Sequence, residues 1–526
     1  MAKTKKFGWF IIACFFLTAC NGSKTNPEKE GPPNIIFILA DDMSYRDLSC
    51  YGQKRYETPN LDALAATGIR FNQAYAAAPE CAPSRGCLMT GLHTGHGPIR
   101  MNSSARGQDH LYPEDQTIAE HLKTVGYRTG FTGKWGIGLP GTPGVPYQQG
   151  FDYSFGYYDQ GRAHTFIPYY LWENDQRIFY PENDGFDMKR RYDYRGNKAQ
   201  NTYDDQGKLY IEELADPYDY TYSQNAIEAA TFKFLDQNNP TQTGDPFFLY
   251  FAPQLPHGPV IVDELGPMIG PDSVEQVTRE WAAMVLQLDH FVGDLVTKLK
   301  AEDLYDNTII FFASDNGYSM CGYTERGNGP DWPDDPWLKN KGPFKGGKFS
   351  VLEGGIRVPF FVSWPAKYQA AVYEEPVWLP DFFPTALELA GHQGLDYTID
   401  GKSLLPLLEG RPEDFQSHEY LYFSKGPEQA VRMGPWKAYR KSPQEKLELY
   451  RIIKDSYMEE NVAEAQPQVV AQIEAIISKS HEPHEWYRNP NESWEDFQKK
   501  RAKAVETGNT MPRFKPNSSE ELPWRK

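Results

Sequence analysis

Four short apolar runs, far apart in the chain and each followed closely by acidic, basic or imidazole side chains, constrain this protein more than any other feature. Ile35 to Ala40, Tyr127 to Thr132, Phe247 to Ala252 and Ile309 to Ala313 have the length and composition of buried strands. Between the last two, Trp281, Val285, Leu288, Val292, Leu295 and Leu299 keep a helical period on one face. Thr117 to Val125 and Ala226 to Leu235 read as further amphipathic helices. Alternation of this kind implies an α/β fold, a largely parallel sheet with helices on both faces. After about Gly410 the texture changes to short segments with charged turns, which predicts a catalytic domain over residues 34–410 and a smaller subdomain and tail over 411–526. The polar tail from about Asn489 is expected to wrap or fray.

Open α/β sheets bind ligands outside the carboxyl ends of their strands. Asp41 and Asp42 follow the first run, Lys134 the second, His257 the third, and Asp315 with Asn316 the fourth. Each alone has an ordinary reading as a turn or cap. Together, three carboxylates and an amide make a hard, oxygen-only set that suits Ca2+, with Mg2+ second, and that lacks the His or Cys ligands expected for zinc.

A formal net charge of -17 argues against a nucleic-acid partner, because phosphate backbones are held by clustered Lys and Arg. The first twenty residues read as an export signal: Lys3, Lys5 and Lys6, then an apolar run from Phe7 to Leu17 too short to span a bilayer. Leu17-Thr18-Ala19-Cys20 resembles the lipobox of bacterial lipoproteins, which implies an acylated Cys20, a tether over residues 21–33, and a lipid-anchored protein of the periplasm or cell surface. Of six Cys, Cys14 lies in that leader and Cys20 at its end. Cys50, Cys81, Cys87 and Cys321 remain, which is no disulfide framework.

Cys81-Ala82-Pro83-Ser84-Arg85-Gly86 is the most specific motif. It resembles the sulfatase signature, in which the Cys of C-x-P-S-R is oxidised to formylglycine (3-oxoalanine) by a maturation enzyme before folding. The likeness runs on through Thr58-Pro59-Asn60-Leu61-Asp62, Thr90-Gly91-Leu92-His93-Thr94-Gly95-His96, Gly133-Lys134-Trp135, Pro256-His257, Ser314-Asp315-Asn316-Gly317, Lys348, Glu353 to Pro359, and Asp400 to Leu404. It implies an alkaline-phosphatase-like fold, a large mixed sheet between helices with a small C-terminal α+β subdomain. It further implies hydrolysis of sulfate esters through a formylglycine hydrate and a covalent sulfo-enzyme. Asp41, Asp42, Asp315, Asn316 and the converted Cys81 would hold calcium. Arg85, Lys134 and Lys348 would supply positive charge, and His257 would protonate the departing alcohol.

One position departs from the family. Many sulfatases carry His directly after the Lys-Trp pair, where this chain has Gly136. His164 is the expected substitute, as base or as sugar contact, and Arg100 and Asn102 are expected to reach sugar hydroxyls. Gly133 to Gly136, Gln149 to Asp152 and Arg162 to Thr165 are similar to a bacterial subgroup that desulfates glycans, which implies a sulfated carbohydrate substrate such as galactose or N-acetylgalactosamine 4-O-sulfate. Two other readings stand beside this one. A phosphodiester or phosphonate monoester hydrolase would share the nucleophile. A catalytically dead glycan-binding lipoprotein would explain Gly136.

Overall fold

Every residue of Asn34–Ala40 is buried, as a strand covered on both faces requires. Its side chains divide by the strand's period of two: Ile36, Ile38 and Ala40 enter one apolar core, Ile35, Phe37 and Leu39 the other. A computed structural model of the protein describes residues 1, 31–186, 201–270, 273–319 and 335–511. The expected export segment, the acylation site at Cys20 and most of the tether lie outside these residues, as does Cys321. Among the described residues no helix is long and apolar enough to cross a membrane.

Ten strands build one mixed sheet: β1 Asn34–Ala40, β2 Ile69–Phe71, β3 Arg128–Lys134, β4 Tyr153–Tyr157, β5 Tyr170–Glu173, β6 Gln176–Phe179, β7 Phe247–Ala252, β8 Thr308–Ser314, β9 Phe360–Ser363 and β10 Ala371–Tyr373. Their spatial order is β10-β2-β9-β8-β1-β7-β3-β4-β5-β6. The central run β8-β1-β7-β3-β4 is parallel, so the four polar clusters that follow these strands emerge on one edge. Antiparallel strands flank it on both sides.

Eight helices matter to the site and its frame: α1 Pro59–Thr67, α2 Cys81–Thr90, α3 Ile118–Thr124, α4 Ser223–Gln237, α5 Gln276–Ala301, α6 Phe382–Leu389, α7 Pro467–Lys479 and α8 Trp494–Glu506. The six periodic residues from Trp281 to Leu299 are all buried on α5. They share one core with Phe234 of α4, while Phe382 and Phe383 of α6 pack in the core on the opposite face of the sheet. The sequence boundary at Thr132 was short: β3 runs to Lys134, so that lysine is the strand's last residue rather than the loop after it. Gly133 hides the extension from an apolar-run reading. Its φ is +115°, and a Cβ there would stand 1.9 Å from the Ala252 carbonyl oxygen, so only glycine lets β3 lie against β7.

A second, four-stranded antiparallel sheet spans Leu421 to Tyr450. Val431, Ala438 and Leu449 pack there on Ile473, Ile476 and Ile477 of α7. The described part of the tail, from Asn489 to Met511, wraps. Ser493 caps α8 by accepting from the Asp496 N–H at 3.0 Å, and Phe497 and Ala504 are buried with Ala105 and Trp486. Backbone bonds from Ala105 N–H to Trp486 O (2.8 Å) and from Met511 N–H to Arg106 O (2.8 Å) fasten this segment to the loop after α2.

Candidate active site

Helix α2 presents Cys81 as its first residue, and all ten of its residues are buried. Pro83 falls in the first turn, where a missing N–H costs nothing. The Ala82 N–H is satisfied by Asn102 Oδ1 at 2.9 Å. Gly91 ends the helix in the left-handed region, donating to Cys87 O at 2.9 Å. The Cys81 thiol therefore sits at the positive end of a helix dipole, facing the carboxyl ends of β1, β3, β7 and β8.

Three carboxylates and three cations interlock there without exposure to solvent. Lys134 Nζ donates to both oxygens of Asp41, at 3.0 and 2.7 Å. Arg85 grips Asp315 Oδ2 through Nε (3.0 Å) and Nη2 (2.8 Å) and donates from Nη1 to the Lys134 carbonyl at 2.5 Å. Lys348 Nζ lies 2.5 Å from Asp42 Oδ1, 3.3 Å from Cys81 Sγ and 3.1 Å from His257 Nε2. Burial works most strongly against the Lys134 charge, but Asp41, Cys81 and Asp315 together overcome it and raise the pKa. Formal charges of the six side chains cancel, so any added divalent cation leaves the pocket positive toward an anionic ester.

Asp42 adopts φ 66°, a left-handed conformation that Asp tolerates better than most residues. Its N–H donates to Asp315 Oδ1 at 3.1 Å. Phe349, beside Lys348, has φ 73°, which a bulky residue adopts rarely, and its N–H donates to Pro79 O at 2.8 Å. Both unusual backbones flank charged groups of the site.

The donor set fits a hard cation. Asp42 Oδ2 and Asn316 Oδ1 are buried with no hydrogen-bond partner, although an orphaned buried acceptor costs about 1–3 kcal/mol. Both lie among Asp41, Asp42, Asp315 and Asn316, each 0% exposed. Candidate ligand atoms of Asp41, Asp42, Cys81 and His257 all fall within 4.8 Å of one another. The imidazole in that group is already engaged by Lys348, and the oxygens are the better match to calcium.

Burial pushes the Cys81 thiol well above its ordinary pKa, and Asp315 adds to the effect against the opposing Lys134 and Lys348. Burial and then Lys348 hold His257 well below the usual imidazole range. Its Nδ1 bonds the Gly258 carbonyl, so the resting tautomer carries hydrogen on Nδ1 and Nε2 accepts from Lys348 Nζ at 3.1 Å.

His164 stacks flat on His257, with ring centroids 4.2 Å apart and planes 7° from parallel. It also lines an open cleft of about 960 Å³ together with Asn102 and Gln160. Arg100 does not line the cleft. Its guanidinium, expected to reach a sugar hydroxyl, donates to the carbonyls of Gly97 (3.0 Å) in its own loop and of Glu482 in the returning C-terminal segment. Asn102 borders the cleft, but its carbonyl oxygen is spent on the Ala82 N–H.

Sequence reasoning missed Gln160. Gly136 has φ +78°, and a Cβ built on it would stand 2.6 Å from Gln160 Nε2. The amide of Gln160 thus covers position 136, where the family resemblance leads to the expectation of His, and its Oε1 is buried without a partner. No linear signal pairs residues 136 and 160. The register Gly133↔Gly156 between β3 and β4 does so.

A family model described as Sulfatase matches residues 33–392. The chain belongs to the sulfatase family. This sulfatase is 31% identical over 426 residues to human N-acetylgalactosamine-6-sulfatase, across 78% of this chain and 71% of the relative. It is 28% identical over 516 residues to an N-acetylgalactosamine-6-O-sulfatase of Bacteroides thetaiotaomicron, across 88% and 96%. Among solved structures, Ps i-CgsB in complex with k-i-k-neocarrahexaose superposes with a TM-score of 0.68 at 27% identity, over 91% of this chain and 99% of the other. The sulfatase therefore has the alkaline-phosphatase-like fold, a large mixed sheet with helices and a small antiparallel C-terminal sheet, and is a sulfuric ester hydrolase. The phosphonate monoester hydrolase of Agrobacterium radiobacter, at 18% identity and a TM-score of 0.60, shares the fold alone.

Proposed function

We propose that this sulfatase removes sulfate from galactose or N-acetylgalactosamine units of glycans, using calcium and a formylglycine made from Cys81. The carrying observation is the buried thiol. A thiol held protonated is a poor nucleophile, yet Cys81 stands at the helix N-terminus among the cation ligands and both lysines. With calcium bound and Cys81 converted, the group supplies a polarised hydrate oxygen able to attack sulfur. The chain's own residues do the rest. Asp41, Asp42, Asp315 and Asn316 hold the cation. Lys134 and Lys348 neutralise sulfate oxygens, and Arg85 fixes Asp315. His257 Nε2 takes up a proton from Lys348, 3.1 Å away, and passes it to the departing sugar oxygen, and solvent reprotonates Lys348.

His164, flat against His257 and open to the cleft, fits a sugar contact and a support for His257 better than a base for the hydrate. The curated relatives act at the 6-O position by name, whereas the subgroup likeness implied 4-O. Export with acylation at Cys20, anchoring the protein in the periplasm or on the cell surface, remains part of the proposal.

Mass spectrometry of the Cys81 peptide and a screen against galactose and N-acetylgalactosamine carrying one sulfate at O4 or at O6 test it together. An aldehyde at position 81 and sulfate release from one of the four sugars are expected. A wholly unmodified thiol in active enzyme overturns the nucleophile, and absence of sulfate release both from the four and from sulfated oligosaccharides built of these sugars overturns the substrate class.

A further inference from the structure

The cleft that His164 opens into is larger than one desulfated sugar needs and has the wrong charge for this protein. Its volume of about 960 Å³ lies at the upper end of the roughly 300–1,000 Å³ usual for a small-ligand pocket. The chain carries a net charge of -17, yet Lys425, Lys441, Arg488 and Arg501 line this cleft against only Glu428 and Glu445. Arg106, also in the wall, is already paired with Asp109.

An aromatic surface stands among these cations. Trp494, the first residue of α8, is 56% exposed although α8 is otherwise packed through Phe497 and Ala504. The Arg488 guanidinium lies 5.6 Å from the Trp494 ring centroid. The Trp494 ring also meets Phe497, with centroids 5.6 Å apart, and the part left exposed is open to stacking. The same cleft is walled by His164 and Gln160, whose buried Oε1 lacks a partner. One continuous surface therefore leads from the imidazoles of the reacting centre, past an unsatisfied acceptor, to an aromatic ring framed by positive charge.

The geometry points to an extended subsite: the cleft binds a neighbouring sugar of the same glycan chain, with Gln160 Oε1 accepting from a sugar hydroxyl, Trp494 under a ring, and Lys441 with Arg501 on a second anionic group. The ligand class is an oligosaccharide bearing more than one sulfate or carboxylate, so the enzyme prefers chains to single sugars. This rests on the glycan-sulfatase reading above, and it is tested apart from it by binding rather than turnover.

The protein for this test is full-length Cys81→Ala. The probes are a chondroitin sulfate tetrasaccharide, the unsulfated chondroitin tetrasaccharide and monosulfated N-acetylgalactosamine, titrated calorimetrically in calcium buffer. Tighter binding of the sulfated tetrasaccharide than of the monosaccharide, by at least tenfold, is expected. Adding Trp494→Ala with Lys441→Ala should reduce that ratio at least tenfold, and Lys441→Glu with Arg501→Glu should reduce it more steeply while leaving Phe497 and Ala504 in place. Weakening of the unsulfated tetrasaccharide by the Lys441→Glu, Arg501→Glu pair would assign the second anion to a carboxylate, and weakening of the sulfated chain alone would assign it to a sulfate. A ratio near one, or one unmoved within twofold in both double variants, overturns the subsite. The substrate class itself stands or falls separately on sulfate release by the active enzyme.

Discussion

The imidazoles of His164 and His257 lie face to face, 4.2 Å between centroids and 7° between planes, with Lys348 at 3.1 Å from His257 Nε2 on the side of the reacting centre. The stack fixes which edge of His257 meets the substrate. His257→Ala should slow sugar sulfates by about 10²–10⁴-fold, the usual worth of a general acid, while aryl sulfates with good leaving groups lose far less. His164→Ala should chiefly raise KM for glycans. Steady-state kinetics on both substrate types distinguishes them, and equal losses on both substrates in both variants would contradict the assignment.

Arg85 is buried with its charge met by Asp315. Arg85→Met leaves that carboxylate buried and unpaired, and a broken buried pair costs about 3–5 kcal/mol. Urea unfolding should show a loss of this size together with loss of activity. Combining Arg85→Met with Asp315→Asn should recover a large part of the stability and none of the turnover. A single variant as stable as the parent would refute the account.

Calcium should raise the melting temperature of unmodified protein, because a ligand that binds only the folded state adds about 2.7 kcal/mol at a hundredfold excess over its Kd. Asp42→Asn should abolish most of the shift. EDTA should remove activity, and calcium should restore it better than zinc. An equal shift from zinc would point to His257 as a ligand.

Three histidines away from the reacting centre give an acid-side prediction. Burial is the main cause that lowers His93 to about 3 and His481 and His484 to about 4. An unfolded His takes up its proton near pH 6.5. Between there and pH 4 the unfolded chain binds more protons than the folded one, so stability falls as pH falls. Thermal melts should decline through that window, and replacing His481 and His484 with Gln should flatten the slope. Melting temperatures constant from pH 7 to 4 would contradict the burial argument.

Much of this was legible in the linear chain for a physical reason. Buried parallel strands are continuous apolar runs, so β1, β7 and β8 announced themselves, and the polar residues just beyond them mark the sheet edge where ligands bind. The face of α5 was equally plain, since six apolar residues recur at helical spacing. What stayed hidden depends on two distant segments meeting. Gln160 covers Gly136 only because β3 and β4 pair in a particular register. Arg100 reaches the Glu482 carbonyl only because the C-terminal segment returns to that loop. In the polar tail, Phe497 is buried with Ala105, nearly four hundred residues earlier.

The pairing of β1 has a consequence for timing. Its two neighbours are β7 and β8, and the Arg85 to Asp315 contact that closes the site spans 230 residues. At a synthesis rate of about 5–20 residues per second, roughly 10–50 s pass between the emergence of Cys81 and that of its last sheet partner. Throughout that interval no lid of strands exists to bury the thiol. A modifying enzyme acting on Cys81 would have a window written into the topology, which shuts once β8 and Lys348 have docked and Cys81 is 1% exposed. Fast folding would be a liability for such a chain, and the long separation of its central strands works as a delay.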